Sequence, residues 1–237
     1  MYDYKTWLSE AEKAVRDMAR FDAVFEETEA TVSSEYPLEV DALQQLIAEV
    51  DIFMPEELQR FWLEAASSTD CRYVLRGARG KVATCLDSIF GTGHDVYGEI
   101  FFSSPNDLPN HLEACRGWAA AFEEAPNPSQ KAFWLNAVPF HSLLNGDYLA
   151  LDVSAELADP PVVYLAHDDE TSGILAPSFT SFLDVWAKLC YVGPEDWMLK
   201  PFRNENGLLD DTVPNAIRWQ AFLGTDRTSS GQTGRDD

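Results

Sequence analysis

Apolar residues recur every three or four positions from Thr6 to Phe25, at Trp7, Ala11, Ala14, Val15, Met18, Phe21 and Phe25. That spacing lines one face of an amphipathic helix, with Glu10, Lys13, Arg16 and Asp17 on its other faces. The acidic, polar run from Glu26 to Glu35, ending at Pro37, carries no such stripe and reads as a linker. A new stripe appears at Leu43, Leu46, Ile47 and Val50, where Asp41 is placed to cap a second helix. Pro55 suits the first position of a third helix. Its Glu56 and Glu57 lie in the positive first turn, and Leu58, Phe61, Trp62 and Ala65 form its inner face.

Strand patterns follow. Cys71–Leu75 has strand composition and is broken by the stretch from Gly77 to Gly80, while Lys81–Ile89 fits neither period cleanly. Asp95–Phe102 is strand-like again. Asn106 or Asp107 is placed to cap a helix from Pro109 through Phe122, which Pro126 and Pro128 stop. Ala132–Val138 is apolar and aromatic enough to predict a strand. Asn145-Gly146 is a turn, and Tyr148–Val153 and Val162–Leu165 are strands on either side of the Asp159-Pro160-Pro161 break. Gly173–Ala176 is a further short strand. Ser178 caps a helix carrying Phe179, Phe182, Leu183, Trp186 and Leu189, and another helix is expected from Asn215 to Phe222.

Strands bunched mid-chain, with helices before and after, predict an α+β fold with a central, mainly antiparallel sheet covered by helices. The expected division is a helical extension and linker over 1–36, one domain over 37–224, and a disordered polar tail over 225–237.

Composition narrows the function classes. Of 237 residues, 46% are hydrophobic and 12% aromatic, enough to bury a sizeable core. No apolar run approaches the roughly 18 residues a membrane helix needs, and the mixed-charge N-terminus is unlike a secretory signal; a cytoplasmic protein is expected. Seventeen Lys and Arg against forty Asp and Glu leave a net charge of −23. Such a surface repels phosphate backbones and anionic lipid, and it steers in a cationic protein partner. Cys71, Cys85, Cys115 and Cys190 are too widely spaced for a zinc site and read as reduced thiols.

Chemistry has few candidates. His141, Asp147, Asp152, His167 and Asp168 supply imidazoles and carboxylates for metal binding or acid–base work. None has the i, i+4 spacing of a zinc-protease helix, and Gly91-x-Gly93 is too short to cradle a phosphate. Asp147, beside a glycine turn, is expected to bond local backbone amides, and His167 to Glu170 reads as a solvated loop. Trp62, Trp118, Trp134 and Trp186 fall at inward positions; Trp7 suits docking on its own domain or on a partner.

Three segments together resemble the SUKH superfamily, which includes Smi/Knr-type yeast cell-wall assembly regulators and bacterial toxin-immunity proteins. They are Met54-Pro55-Glu56-Glu57-Leu58 with Phe61-Trp62, then Asn145-Gly146-Asp147-Tyr148-Leu149-Ala150-Leu151-Asp152, then Val162-Val163-Tyr164-Leu165-Ala166-His167-Asp168 with the Ala176-Pro177-Ser178-Phe179 helix start. The sequence departs from the pattern at Met54, usually Leu, in its long section between Arg76 and Asn145, and in the helix from Thr6 to Phe25. The resemblance implies a non-enzymatic binding protein without cofactor; joined to the charge of −23 it points to an immunity protein for a basic toxin domain, with a regulatory scaffold as the alternative and a metal-dependent hydrolase as the third reading. The expected partner-binding set is the loop carboxylates Glu156, Asp159, Asp168, Asp169 and Glu170.

Overall fold

Burial alternates along Thr69–Arg76, so that Thr69, Cys71, Tyr73 and Leu75 share one buried face and the residues between them look outward. In the computed structural model, which describes residues 1–93, 95–122, 128–168 and 171–225, that strand is the middle of a three-stranded sheet. In chain order the elements are α1 (Tyr4–Asp17), β1 (Glu27–Ser34), α2 (Val40–Glu49), α3 (Glu56–Glu64), β2 (Thr69–Arg76), α4 (Gly80–Phe90), β3 (Val96–Ile100) and α5 (Leu108–Ala121). There follow α6 (Pro128–Leu135), β4 (Ala137–Ser142), β5 (Tyr148–Asp152), β6 (Val162–Leu165), β7 (Gly173–Ala176), α7 (Phe179–Lys188), α8 (Asp196–Leu199) and α9 (Pro214–Thr225).

The fold is α+β, as expected, and the paired strands are antiparallel. They form two sheets in place of a single central one, β1-β2-β3 and β4-β5-β6-β7. A backbone bond from Ser103 N to Phe140 O (2.9 Å) ties the continuation of β3 to β4, so the strands follow one another in chain order across both sheets. β5 and β6 are buried on both faces. One face meets the main core of Phe140, Phe179, Phe182 and Trp186; the other meets a smaller core built by Cys115, Ala119 and Trp134. A strand covered on both sides reads as an unbroken apolar run, which is how both were found.

Three expectations are corrected. The stretch read as a linker is β1, paired with β2 from Glu27 opposite Arg76 to Ser34 opposite Thr69. It is an edge strand in which only Thr28 and Val32 are half-buried, so it shows no apolar alternation to detect. Ala132–Val138 is not one strand: α6 continues to Leu135 and β4 begins at Ala137. The apolar residues there face different partners, with Trp134 packed on Trp118 and Phe122 beneath α5. The ambiguous Lys81–Ile89 resolves as α4, and Asp41 falls inside the first turn of α2 and not at its cap. Ser178 does cap α7, in a reciprocal box with Ser181.

The N-terminal helix is built into the core. Tyr4, Trp7, Leu8, Ala11 and Val15 are buried. The Trp7 indole donates to Leu183 O (3.3 Å) and its ring stacks on Phe102, so Trp7 docks on its own chain. Phe21 stacks on Phe222 at 5.0 Å, and the Arg20 guanidinium donates to Leu223 O at 2.9 Å, which clasps the N-terminal helical segment to α9. All four cysteines are thiols outside any disulfide; burial pushes the Cys115 thiol up to about 12 and that of Cys71 to about 11. Among the described residues, no helix is long and apolar enough to cross a membrane. Residues 226–237, most of the expected disordered tail, lie outside the described residues.

Candidate functional site

The turn between β4 and β5 requires a backbone that L side chains resist. Gly146 sits at φ +98, and a Cβ there would lie 3.4 Å from the His167 ring. Its neighbour Asp147 is therefore thrown under the end of β6, where it is only 5% exposed and accepts four bonds. Its Oδ1 takes the His167 backbone N–H (2.9 Å) and ring Nδ1 (2.7 Å). Its Oδ2 takes the Tyr164 hydroxyl (2.5 Å) and the Asn145 side-chain amide (2.7 Å). Burial alone would raise this carboxyl, but the bonds from Tyr164, His167 and Asn145 outweigh it and hold the group below the usual carboxylate range.

Asp147 was expected to serve local backbone amides, and this is corrected. Its main partners are 17 and 20 residues away, and His167 is a half-buried strand-end residue packed 5.0 Å from the Trp118 ring. Tyr164 is the member that sequence reasoning missed. The available signal was a phenol inside the otherwise aliphatic Val162–Leu165, since a buried hydroxyl needs a partner.

An ionised carboxylate bonded to an imidazole is the pair a general base uses, and ligand atoms of Asp147, His167 and Asp168 lie within 4.8 Å of one another. A cation placed there would have to displace the four donors that Asp147 already accepts. The Ser172 hydroxyl on the same loop is engaged with the Ala166 backbone N–H at 3.0 Å. His141 does not join them. It is fully buried near Phe101 and Trp186, neither ring nitrogen makes a hydrogen bond of good geometry, and burial pulls it down to about 4 despite the nearby Glu99 and Ser142 backbone. Asp152 accepts from Ser154 N at the end of β5. Of the five residues of the hydrolase reading, Asp147, His167 and Asp168 thus come together while His141 and Asp152 have other neighbours, and the Asp147 cluster works as a clasp holding the β6–β7 loop to the β4–β5 turn.

The expected partner-binding carboxylates also separate. Glu156 is exposed at a tight turn, with φ +50. Asp159 is half-buried and bonds Thr180 N (3.2 Å) and Oγ1 (2.5 Å), which fixes the start of α7. Asp168 is exposed beside His167. Asp169 and Glu170 lie outside the described residues.

Comparison with curated proteins finds no match. The sequence model of the SMI1 / KNR4 family (SUKH-1) matches residues 37–185, more than half of the chain and the span from α2 through most of α7. By that match and by its antiparallel α+β architecture, the chain belongs to the SMI1 / KNR4 family (SUKH-1).

Proposed function

We propose that the chain is a non-enzymatic cytoplasmic binding protein, an immunity protein that occupies and neutralises a cognate cationic toxin domain. Family membership supports an immunity or Smi/Knr-type role in general. The observation that carries the cationic partner is the distribution of charge. Residues 132–187, which include the whole second sheet, hold eight Asp or Glu and no Lys or Arg. Residues 21–59 hold eleven Asp or Glu and again no Lys or Arg. A surface so free of cations attracts a basic protein over a Debye length of about 8 Å at physiological salt and repels nucleic acid.

The test is co-expression with the neighbouring open reading frame. Growth restored by this chain, together with association that slows steeply as salt rises, supports the reading; a complex indifferent to salt, or no protection, overturns it. The same family match favours one other reading, a regulatory scaffold of the Smi/Knr type, in which a partner is bound but no toxicity is relieved.

A further inference from the structure

The two cation-free stretches meet in space. The backbone N–H of Glu57 at the start of α3 donates to Ala158 O in the β5–β6 loop at 3.1 Å, bringing residues of 21–59 against residues of 132–187. Beside that junction lies a groove of about 360 Å³, walled by Asp51, Ile52 and Phe53 from the α2–α3 turn, Trp134 and Leu135 from α6, and Glu156 from the β5–β6 loop. Arg116 of α5 also lines it.

Its groups are of three kinds. Phe53 and Leu135 are 36% and 50% exposed, and Leu157, next to Glu156, is 47% exposed. Two large apolar side chains open to solvent in one groove, with Leu157 exposed next along the chain from Glu156, are unusual on a surface otherwise this acidic. Asp51 and Glu156 are exposed carboxylates, neither in an ion pair among the described residues. Trp134 is 1% exposed and its indole N–H has no acceptor among the described residues, a buried donor left unsatisfied.

We infer that this groove receives an extended basic segment of the protein partner, with an apolar side chain seated between Phe53 and Leu135 and Lys or Arg side chains reaching Asp51 and Glu156. A backbone carbonyl of that segment, entering toward the floor, supplies the acceptor that Trp134 lacks. Charge selects this occupant over a second copy of the chain, because two molecules of −23 repel. The inference rests on the reading of the protein as a binder of a cationic partner and adds where and how the partner is held.

The test uses the full chain and an acetylated, amidated peptide of three Arg-Leu repeats, followed by nuclear magnetic resonance. The expected result is movement of the Trp134 indole N–H and of the Asp51, Ile52 and Glu156 amides on titration. The Asp51→Lys/Glu156→Lys variant should bind roughly tenfold more weakly, while reversal of two distant exposed acids, Glu10→Lys/Asp22→Lys, should change affinity less than about twofold. Perturbations centred elsewhere, or equal weakening by both reversals, overturn the groove. In the growth assay, protection by the native chain that survives the groove reversal rejects the groove and leaves the proposed function standing. Failure of the native chain to protect rejects the function itself.

Discussion

His167 places two donors, its backbone N–H at 2.9 Å and its ring Nδ1 at 2.7 Å, on one oxygen of Asp147. Because Asp147 is held ionised, the ring nitrogen facing it is the donor. The other oxygen is filled by Tyr164 and Asn145. The pair therefore joins two loops and leaves the carboxylate little capacity for anything else.

Asp147→Asn should destabilise the fold by about 2–4 kcal/mol, since an amide cannot accept from all four donors and sets its own N–H₂ against one of them. Urea unfolding at neutral pH measures it. As pH falls, Asp147 takes up its proton in the unfolded chain before it does in the folded one, so its contribution is present above the ordinary carboxylate pKa. It is lost as pH falls through the lower folded value. An Asn variant as stable as the native chain would refute the clasp.

His141 has its own pH window. It protonates at about 4 when folded, against an ordinary 6.5, so the unfolded chain gains the proton first as pH falls. Stability is full above 6.5 and declines between 6.5 and about 4, by roughly 3 kcal/mol. His141→Leu should flatten that decline while costing little at pH 7, because the ring makes no hydrogen bond of good geometry to lose. Unfolding midpoints recorded at several pH values would show it, and an unchanged slope in the variant would count against the assignment.

Residues 1–36 should not be removable. A chain beginning at Pro37 loses α1, whose Tyr4, Trp7, Ala11 and Val15 are buried, and strips β2 of its partner β1. It should lack a cooperative thermal transition by circular dichroism. Within the full chain, Phe21→Ala and Phe222→Ala should each destabilise, with a coupling of about 0.5–1.5 kcal/mol in a double-mutant cycle.

The loop carboxylates should divide by role. Asp159→Ala should lower stability by about 1 kcal/mol by releasing Thr180 at the start of α7. Asp168→Ala, on an exposed side chain, should leave stability within about 0.5 kcal/mol and instead slow association with a cationic partner. Stopped-flow association rates beside melting curves separate the two. The reverse pattern would remove Asp168 from the partner surface.

How much of this was legible depended on how each segment is buried. The α1 and α7 stripes were readable because one face of each helix is buried throughout, and the runs of β5 and β6 because both of their faces are covered, so apolar spacing reports them directly. β1 was not, because an edge strand exposed on most positions takes its identity from backbone bonds to β2, which no side-chain pattern encodes. Ala132–Val138 misled because one apolar run serves two elements facing two cores.

The site divides the same way. The chain's chemistry by itself determined the family signature, the acidic surface and the two candidate histidines. Only the tertiary structure decided that Asp147 meets Tyr164 and His167 and that His141 lies away from them. It also decided that Asp159 is tied to Thr180 and that two cation-free stretches far apart in the chain meet beside one groove. Charge and periodicity are properties of positions along a chain. Hydrogen-bond partners and groove walls are set by which distant strands and loops the packing brings within about 3 Å, a distance that sequence spacing does not carry.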